Sequence, residues 1–409
     1  MPMISTRRDA LAILNGLAFS FSLGTAAKAQ VAKAYGPGAS DTEVVIGQTC
    51  PYSGPASALS ICAKVQDAYF RMLNEQGGVN GRKIRFVSLD DGYSPPRALE
   101  QTRKLVEQDE VAAIFGVVGT PTSAAVQKYL NLRKVPQLFI SGGGGRFFDP
   151  KNSPWTLSAA ASLRMEALLH SKYLLRERPE AKIATLYQND DYGKDYLNGL
   201  TEGLGEYASK MMVSTVPYET TDPTVDSQIL KLKSSGADVL IYYCSPKAAA
   251  QAIRKTREIN WEPTRLLATG SRSISTVLTP AGLENATGLL SLNRFRDLED
   301  PAVQHEADVK EYLQFMEKYC PSGHPTEAPE AYGYLSAFLM AETLRRCGDV
   351  LTRENIMKQA TSFKDLTAPF LLNGATISTS PTDYEITKKM IFSRFDGKRW
   401  APFGQPIGL

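Results

Sequence analysis

The feature that most narrows what this chain can fold into is its rhythm. From Glu43 onward, short runs rich in branched and aromatic residues alternate with longer stretches of helical periodicity. That is the pattern of βαβ units building a parallel sheet covered by helices. Residues 44–48, 83–89, 111–115 and 136–140 read as the first four strands. Between them, Ala98, Thr102, Leu105 and Val106 fall on one helical face, and Pro95 and Pro96 suit the first turn of that helix. A second cycle reads as strands at 182–187, 210–216, 237–243 and 266–269, so two α/β lobes follow in series. After about residue 285 long helices are expected at 301–319, 329–347 and 353–361, then short strands near the C-terminus. If those helices complete the first lobe and the tail returns to the second, the chain crosses between lobes three times and forms a hinge.

The first 29 residues read differently. Arg7 and Arg8 precede an apolar run from Ala10 to Leu23 that closes on Ala27-Lys28-Ala29, the order of an export signal cleaved near Ala29. The run is too short for a membrane span. The paired arginines fit the twin-arginine route and equally a Sec leader. The expected location is the periplasm, and the remaining length suits about two domains. The formal charge of the whole chain is +3 and no basic stripe points to nucleic acid. Five cysteines in an oxidising compartment allow two bridges; Cys50 with Cys62, and Cys320 with Cys347, are the candidate pairs, against five free thiols.

Signatures of catalysis are scarce. His170, His305 and His324 are scattered, and no H-E-x-x-H, G-x-S-x-G or G-x-x-x-x-G-K-[ST] string occurs. The Gly142–Gly145 run lacks the setting of a nucleotide-binding turn, so no cofactor is expected. What stands out is a set of Gly-, Ser- and Thr-rich loops after the strands of the first lobe, at 50–59, 116–122 and 141–146. Such loops expose backbone N–H groups, and helices starting after Pro55 and Pro121 add their N-termini, a field suited to a carboxylate. In the second lobe, Asp190, Asp191 and Tyr192 follow a strand and open a helix, with an aspartate as its cap and Tyr192 as a candidate wall. Asp90 and Asp91 read as turn residues.

Several strings carry a resemblance: PYSGPAS at 51–57, NEQGGVNGRKI at 74–84, DDGYSPPRA at 90–98, QKYLNLRKVPQLFIS at 127–141, PWT at 154–156 and YQNDDYGKDY at 187–196. In this order they resemble periplasmic substrate-binding proteins of the Leu/Ile/Val-binding type. The resemblance implies an α/β type I periplasmic-binding-protein fold with two doubly wound lobes and a three-crossover hinge. It implies lobe 1 at 41–158 and 286–372, and lobe 2 at 159–285 and 373–409. It implies a monomer that closes over one small ligand and delivers it to an ABC permease and its ATPase, with no catalysis. The ligand contacts it implies are Tyr52, Ser53, Gly119, Thr120, Gly143, Gly145 and Tyr192. Amino-acid-binding members hold the ligand ammonium with a glutamate in the loop after the strand near 264–269; here Ser271 or Arg272 stands in that place. The Ala-Ala-Thr stretch of those members is replaced by Gly143-Gly144-Gly145. The departures make the chain similar to a subgroup that binds aromatic carboxylates. Tyr52, Phe147, Tyr192 and Tyr243 are then candidate walls, and Arg164, Arg272 or backbone amides the candidate carboxylate grip. Branched-chain amino acid binding proper and a ligand-sensing module without transport are the competing readings.

Overall fold

The computed structural model describes residues 32–408, and the expected export signal at 1–29 lies outside them. Two large sheets organise the described residues. The first has five parallel strands, in the spatial order Lys83–Asp90, Glu43–Cys50, Ala113–Phe115, Gln137–Ile140 and Thr156–Ser158. Apart from the edge strand Lys83–Asp90, its strands are buried on both faces, as in a sheet with helices on either side. Val44 and Ile46 face a core shared with the helices Ile61–Glu75 and Ala328–Cys347. Val45 faces a separate core with the helices Pro95–Glu107 and Thr120–Leu132.

The second sheet has seven strands, in the order Met212–Tyr218, Ile183–Gln188, Val239–Tyr243, Thr264–Leu267, Leu290–Asn293, Met390–Phe395 and Trp400–Ile407. The first five are parallel and the last two antiparallel. The same alternation recurs: Leu240 and Tyr242 pack with the helices Asp226–Lys233 and Pro246–Glu258. Val239, Ile241 and Tyr243 pack with Leu163–Glu177 and Asp191–Leu204. Each large apolar side chain so buried contributes about 1.5–3 kcal/mol against exposure, so both lobes hold a full core.

The chain passes between the lobes three times. After Ser158 it enters the helix Leu163–Glu177, whose Leu163 and Ala167 belong to the second lobe's core. It leaves the second sheet after Asn293, and Phe295 and Leu298 bury in the first lobe's core. It returns after Tyr384 and Ile386, which are still in that core, when the strand Met390–Phe395 pairs antiparallel with Leu290–Asn293. Two expected boundaries therefore move. The crossing at 285/286 lies beyond Asn293, because the short, buried strand Leu290–Asn293 has no alternation to announce it. The crossing at 372/373 lies beyond Ile386, because the intervening segment wraps the first lobe through isolated bridges such as Leu366 with Ile377. The expected helix over 301–319 is split into Pro301–Gln304 and Ala307–Tyr319. No helix among the described residues is long and apolar enough to cross a membrane.

Candidate functional site

In each lobe the second strand lies on one side of the first and the later strands on the other, so the order reverses between the first and third strands. At that switch the loops leaving the carboxyl ends of the two strands diverge and open a crevice. In the first lobe the switch lies between Glu43–Cys50 and Ala113–Phe115; in the second, between Ile183–Gln188 and Val239–Tyr243. The two crevices face each other across one cleft whose interior holds about 170 Å³.

The first lobe supplies Gly119 and Thr120 at the start of the helix Thr120–Leu132, with Pro121 in its first turn. Gly119 has φ of 104°, and a Cβ there would meet the ring of Tyr93 at 2.5 Å, so only glycine lets the loop approach the tyrosine. A Cβ on Gly143 would meet the carbonyl of Ala161 at 2.3 Å, and Gly143 too faces the cleft. Tyr93 itself is held at φ of 62°, in the left-handed region, by its N–H donating to Asp91 Oδ1 at 2.8 Å. Its hydroxyl accepts from Gln188 Nε2 of the other lobe at 3.4 Å. Burial pushes the Asp91 carboxyl up to about 6.

The second lobe supplies Tyr192, whose N–H donates to the capping Asp190 at 2.9 Å. It also supplies Ser245 and Pro246 at the start of the helix Pro246–Glu258, and Thr269, Ser271 and Arg272 after the strand Thr264–Leu267. Behind this wall, Glu166 is fully buried and accepts from Thr269 N at 2.8 Å, Thr269 Oγ1 at 2.7 Å and Tyr196 OH at 2.8 Å. It fixes the two cleft residues rather than facing the cleft. Burial raises its pKa, against the hydrogen bonds that lower it.

The electrostatics of the cleft are one-sided. Arg272 and Arg294 line it, and no Asp or Glu does among the described residues. Neither arginine forms a hydrogen-bonded ion pair among the described residues, although Asp297, Glu299 and Glu327 line a second pocket on the other side of Arg272. Arg272 is 6% exposed, lies over the ring of Trp400 at 4.9 Å, and its Nε has no hydrogen-bond partner. Burial pulls it down from the ordinary 12.5 to about 10, and Arg294 is lowered to the same value for the same reason. The buried hydroxyl of Thr120 is likewise unpartnered. Aromatic faces surround these donors: Tyr93, Tyr192, Tyr196, Phe295 and Tyr332.

A family model described as periplasmic binding protein matches residues 43–399. The chain belongs to this periplasmic binding protein family. Among similar proteins is the Leu/Ile/Val-binding protein homolog 7 of Brucella abortus, 25% identical over 246 residues, or 58% of this chain and 60% of that protein. This match thus spans about three-fifths of that relative's length. An amino acid binding protein of Pseudomonas aeruginosa is 22% identical over 320 residues, covering 75% of this chain and 79% of its own. The fold is close to that of a possible leucine/isoleucine/valine-binding protein from Rhodopirellula baltica, with a TM-score of 0.78 and 19% identity over 89% of this chain and 96% of the other.

Within this periplasmic binding protein, Gly119, Thr120, Gly143, Tyr192, Ser271 and Arg272 all line the cleft. Four other expected contacts do not. Tyr52 is 38% exposed and donates to Ser88 at 2.8 Å, while Ser53 donates to Asp90 Oδ2 at 2.6 Å, so the PYSG turn is folded onto its neighbouring strand. Gly145 N is already taken by Asp195 Oδ2 at 2.8 Å. Arg164 points outward and pairs with Glu202, Nε to Oε2 at 2.6 Å. Of the candidate walls, Phe147 is core, and Tyr243 stacks on Tyr196 at 4.1 Å beneath the cleft. The Cys50–Cys62 bridge is corrected as well, and with it Cys320–Cys347, since all five cysteines are free. Cys50 is buried against Ala63 and Val118, whereas Cys62 turns its Sγ to the carbonyl of Pro329 at 3.2 Å.

Sequence reasoning missed Tyr93 and Arg294. A tyrosine after a glycine in DDGYSPP reads as turn material; its left-handed backbone, the sign of a constrained position, appears only in the fold. Arg294 follows a strand that the sequence does not announce.

Proposed function

We propose that this protein is exported, remains a monomer, and captures a small aromatic carboxylate between its lobes for delivery to an ABC permease and its ATPase, without chemical turnover. The observation that carries this reading is the composition of the cleft: two buried arginines, each with an unpartnered nitrogen, and no Asp or Glu in the cleft lining among the described residues, the carboxylates of Asp297, Glu299 and Glu327 lying in a separate pocket behind Arg272. An α-ammonium group closed into such a site would be unpaired and repelled, at a cost of several kcal/mol. A carboxylate, by contrast, would neutralise a guanidinium and accept from Thr120 and the amides near Gly119. The remaining surface is largely apolar and aromatic, and a void of about 150 Å³ accommodates benzene, so one ring fits the interior. Arg272 and Thr120 form the grip, Tyr93 and Tyr192 the walls, while Ser271, whose hydroxyl donates to the Cys244 carbonyl at 2.6 Å, shapes the loop.

The names of the Brucella relatives favour a second reading, binding of leucine, isoleucine or valine. Thermal-shift screening of those three against benzoate, phenylacetate and cinnamate, followed by calorimetry, separates the two. Aromatic acids that stabilise while the amino acids do not is the expected result; leucine binding at micromolar strength with no response to any aromatic acid would overturn the proposal. The mass of the mature N-terminus from a periplasmic extract tests cleavage near Ala29.

A further inference from the structure

Arg294 stands where the three crossovers meet. It opens the second crossover itself, its Nη1 donates to the carbonyl of Ala159 in the first, and the same nitrogen donates to Thr387 Oγ1 in the third at 2.9 Å. The guanidinium is sandwiched between Phe295 and Tyr332, at 4.9 and 5.1 Å from the ring centres, and the residue is 8% exposed. Tying the crossovers occupies one nitrogen only. Nη2 is buried without any partner, in a residue that lines the cleft.

A staple needs no spare charged donor, and an unpaired edge of a buried cation is costly to keep. Its position shows what would use it. Arg272 follows the strand Thr264–Leu267 and Arg294 follows Leu290–Asn293, and these are adjacent parallel strands. Two guanidinium groups, each with a buried unpartnered nitrogen, therefore stand at neighbouring strand ends beside one aromatic-walled cleft; Asp297, Glu299 and Glu327 lie on the far side of Arg272, whereas no carboxylate bears on Arg294. Resting on the reading of the cleft as a carboxylate site held by Arg272, we propose that Arg294 Nη2 takes a second anionic group, so that the site is built for a flat acid carrying two of them, of the benzenedicarboxylate class.

The test is calorimetry of benzoate against phthalate, isophthalate and terephthalate on the full mature protein at fixed ionic strength, with the Arg294→Lys and Thr387→Ala variants beside it. At least one dicarboxylate should bind wild type about tenfold or more tighter than benzoate, as expected for one added charge-assisted hydrogen bond. In Arg294→Lys that isomer should lose its advantage over benzoate, both measured on the same variant. Thr387→Ala, which loosens the staple but keeps Nη2, should retain the preference. Benzoate binding as tightly as all three dicarboxylates overturns the inference and leaves the carboxylate reading standing, as does a preference that survives Arg294→Lys. If the lysine variant does not fold, the wild-type comparison decides alone. Failure of every acid, with leucine bound, removes the underlying reading and this inference with it.

Discussion

Replacing Arg272 with methionine should separate stability from binding. The fall from 12.5 to about 10 corresponds to roughly 3 kcal/mol of penalty for keeping the guanidinium charged in the fold. Methionine keeps much of the length and apolar stem without the charge. Against the relief stands the lost contact with Trp400, worth about 2 kcal/mol when desolvated. The unliganded variant is therefore expected to be more stable by about 1 kcal/mol, a rise of roughly 2 °C in melting temperature. Ligand binding should move the other way. Loss of a charge-assisted pair to a buried carboxylate costs about 3 kcal/mol, or roughly 100-fold in affinity. Differential scanning fluorimetry with and without benzoate reads both quantities: the variant should melt at or above wild type alone and lose the shift with ligand. A drop of several degrees in the unliganded variant, or an undiminished shift, would refute the reasoning.

Three further outcomes are expected. Glu330, 3% exposed with its Oε2 unpartnered, is raised by burial to about 7. Because its pKa rises on folding, stability falls as pH climbs from about 4.5 toward 7; Glu330→Gln, which keeps the acceptor for His324 N, should be more stable than wild type above pH 7, by up to roughly 3 kcal/mol, with no gain near pH 4 in urea denaturation, and a constant difference across that range would contradict the assignment. The lobes also touch at the cleft mouth, through Gly145 N with Asp195 and Arg146 Nη1 with Asp191 Oδ2 at 3.1 Å; Asp195→Ala should weaken ligand binding about fivefold, for about 1 kcal/mol, and enlarge the radius of gyration in small-angle scattering, whereas no change in either would show the contact to be inert. Alkylation under denaturing, non-reducing conditions should label all five thiols, and protected Cys50 and Cys62 would restore the bridge.

Much of the architecture was legible because strands buried on both faces leave continuous apolar runs, as at 239–243, while the edge strand at 83–89 shows itself by Ile84 and Phe86 alternating with Lys83 and Arg85. The strand Leu290–Asn293 escaped because four residues carry no period, and its omission displaced the second crossover and hid Arg294. The site divided along physical lines. Thr120 and Tyr192 were readable because a loop leaving a strand beside the switch point must open into the cleft, and Arg272 through the family resemblance. Tyr52, Ser53, Gly145 and Arg164 lie near it in the chain but are claimed by Ser88, Asp90, Asp195 and Glu202, partners that only the tertiary arrangement supplies. The cysteines failed for a similar reason: nearness in sequence did not fix direction, and Cys62 faces the helix Ala328–Cys347 instead of Cys50.

The central claim, that an acid-free cleft takes a carboxylate and rejects an ammonium, is tested most directly by a matched pair: titration calorimetry of 3-phenylpropionate and L-phenylalanine, which differ only in the α-ammonium group. The account predicts that 3-phenylpropionate binds and that phenylalanine is at least about 100-fold weaker, since nothing in the cleft pairs its ammonium. Phenylalanine binding as tightly as 3-phenylpropionate, or more tightly, would contradict it.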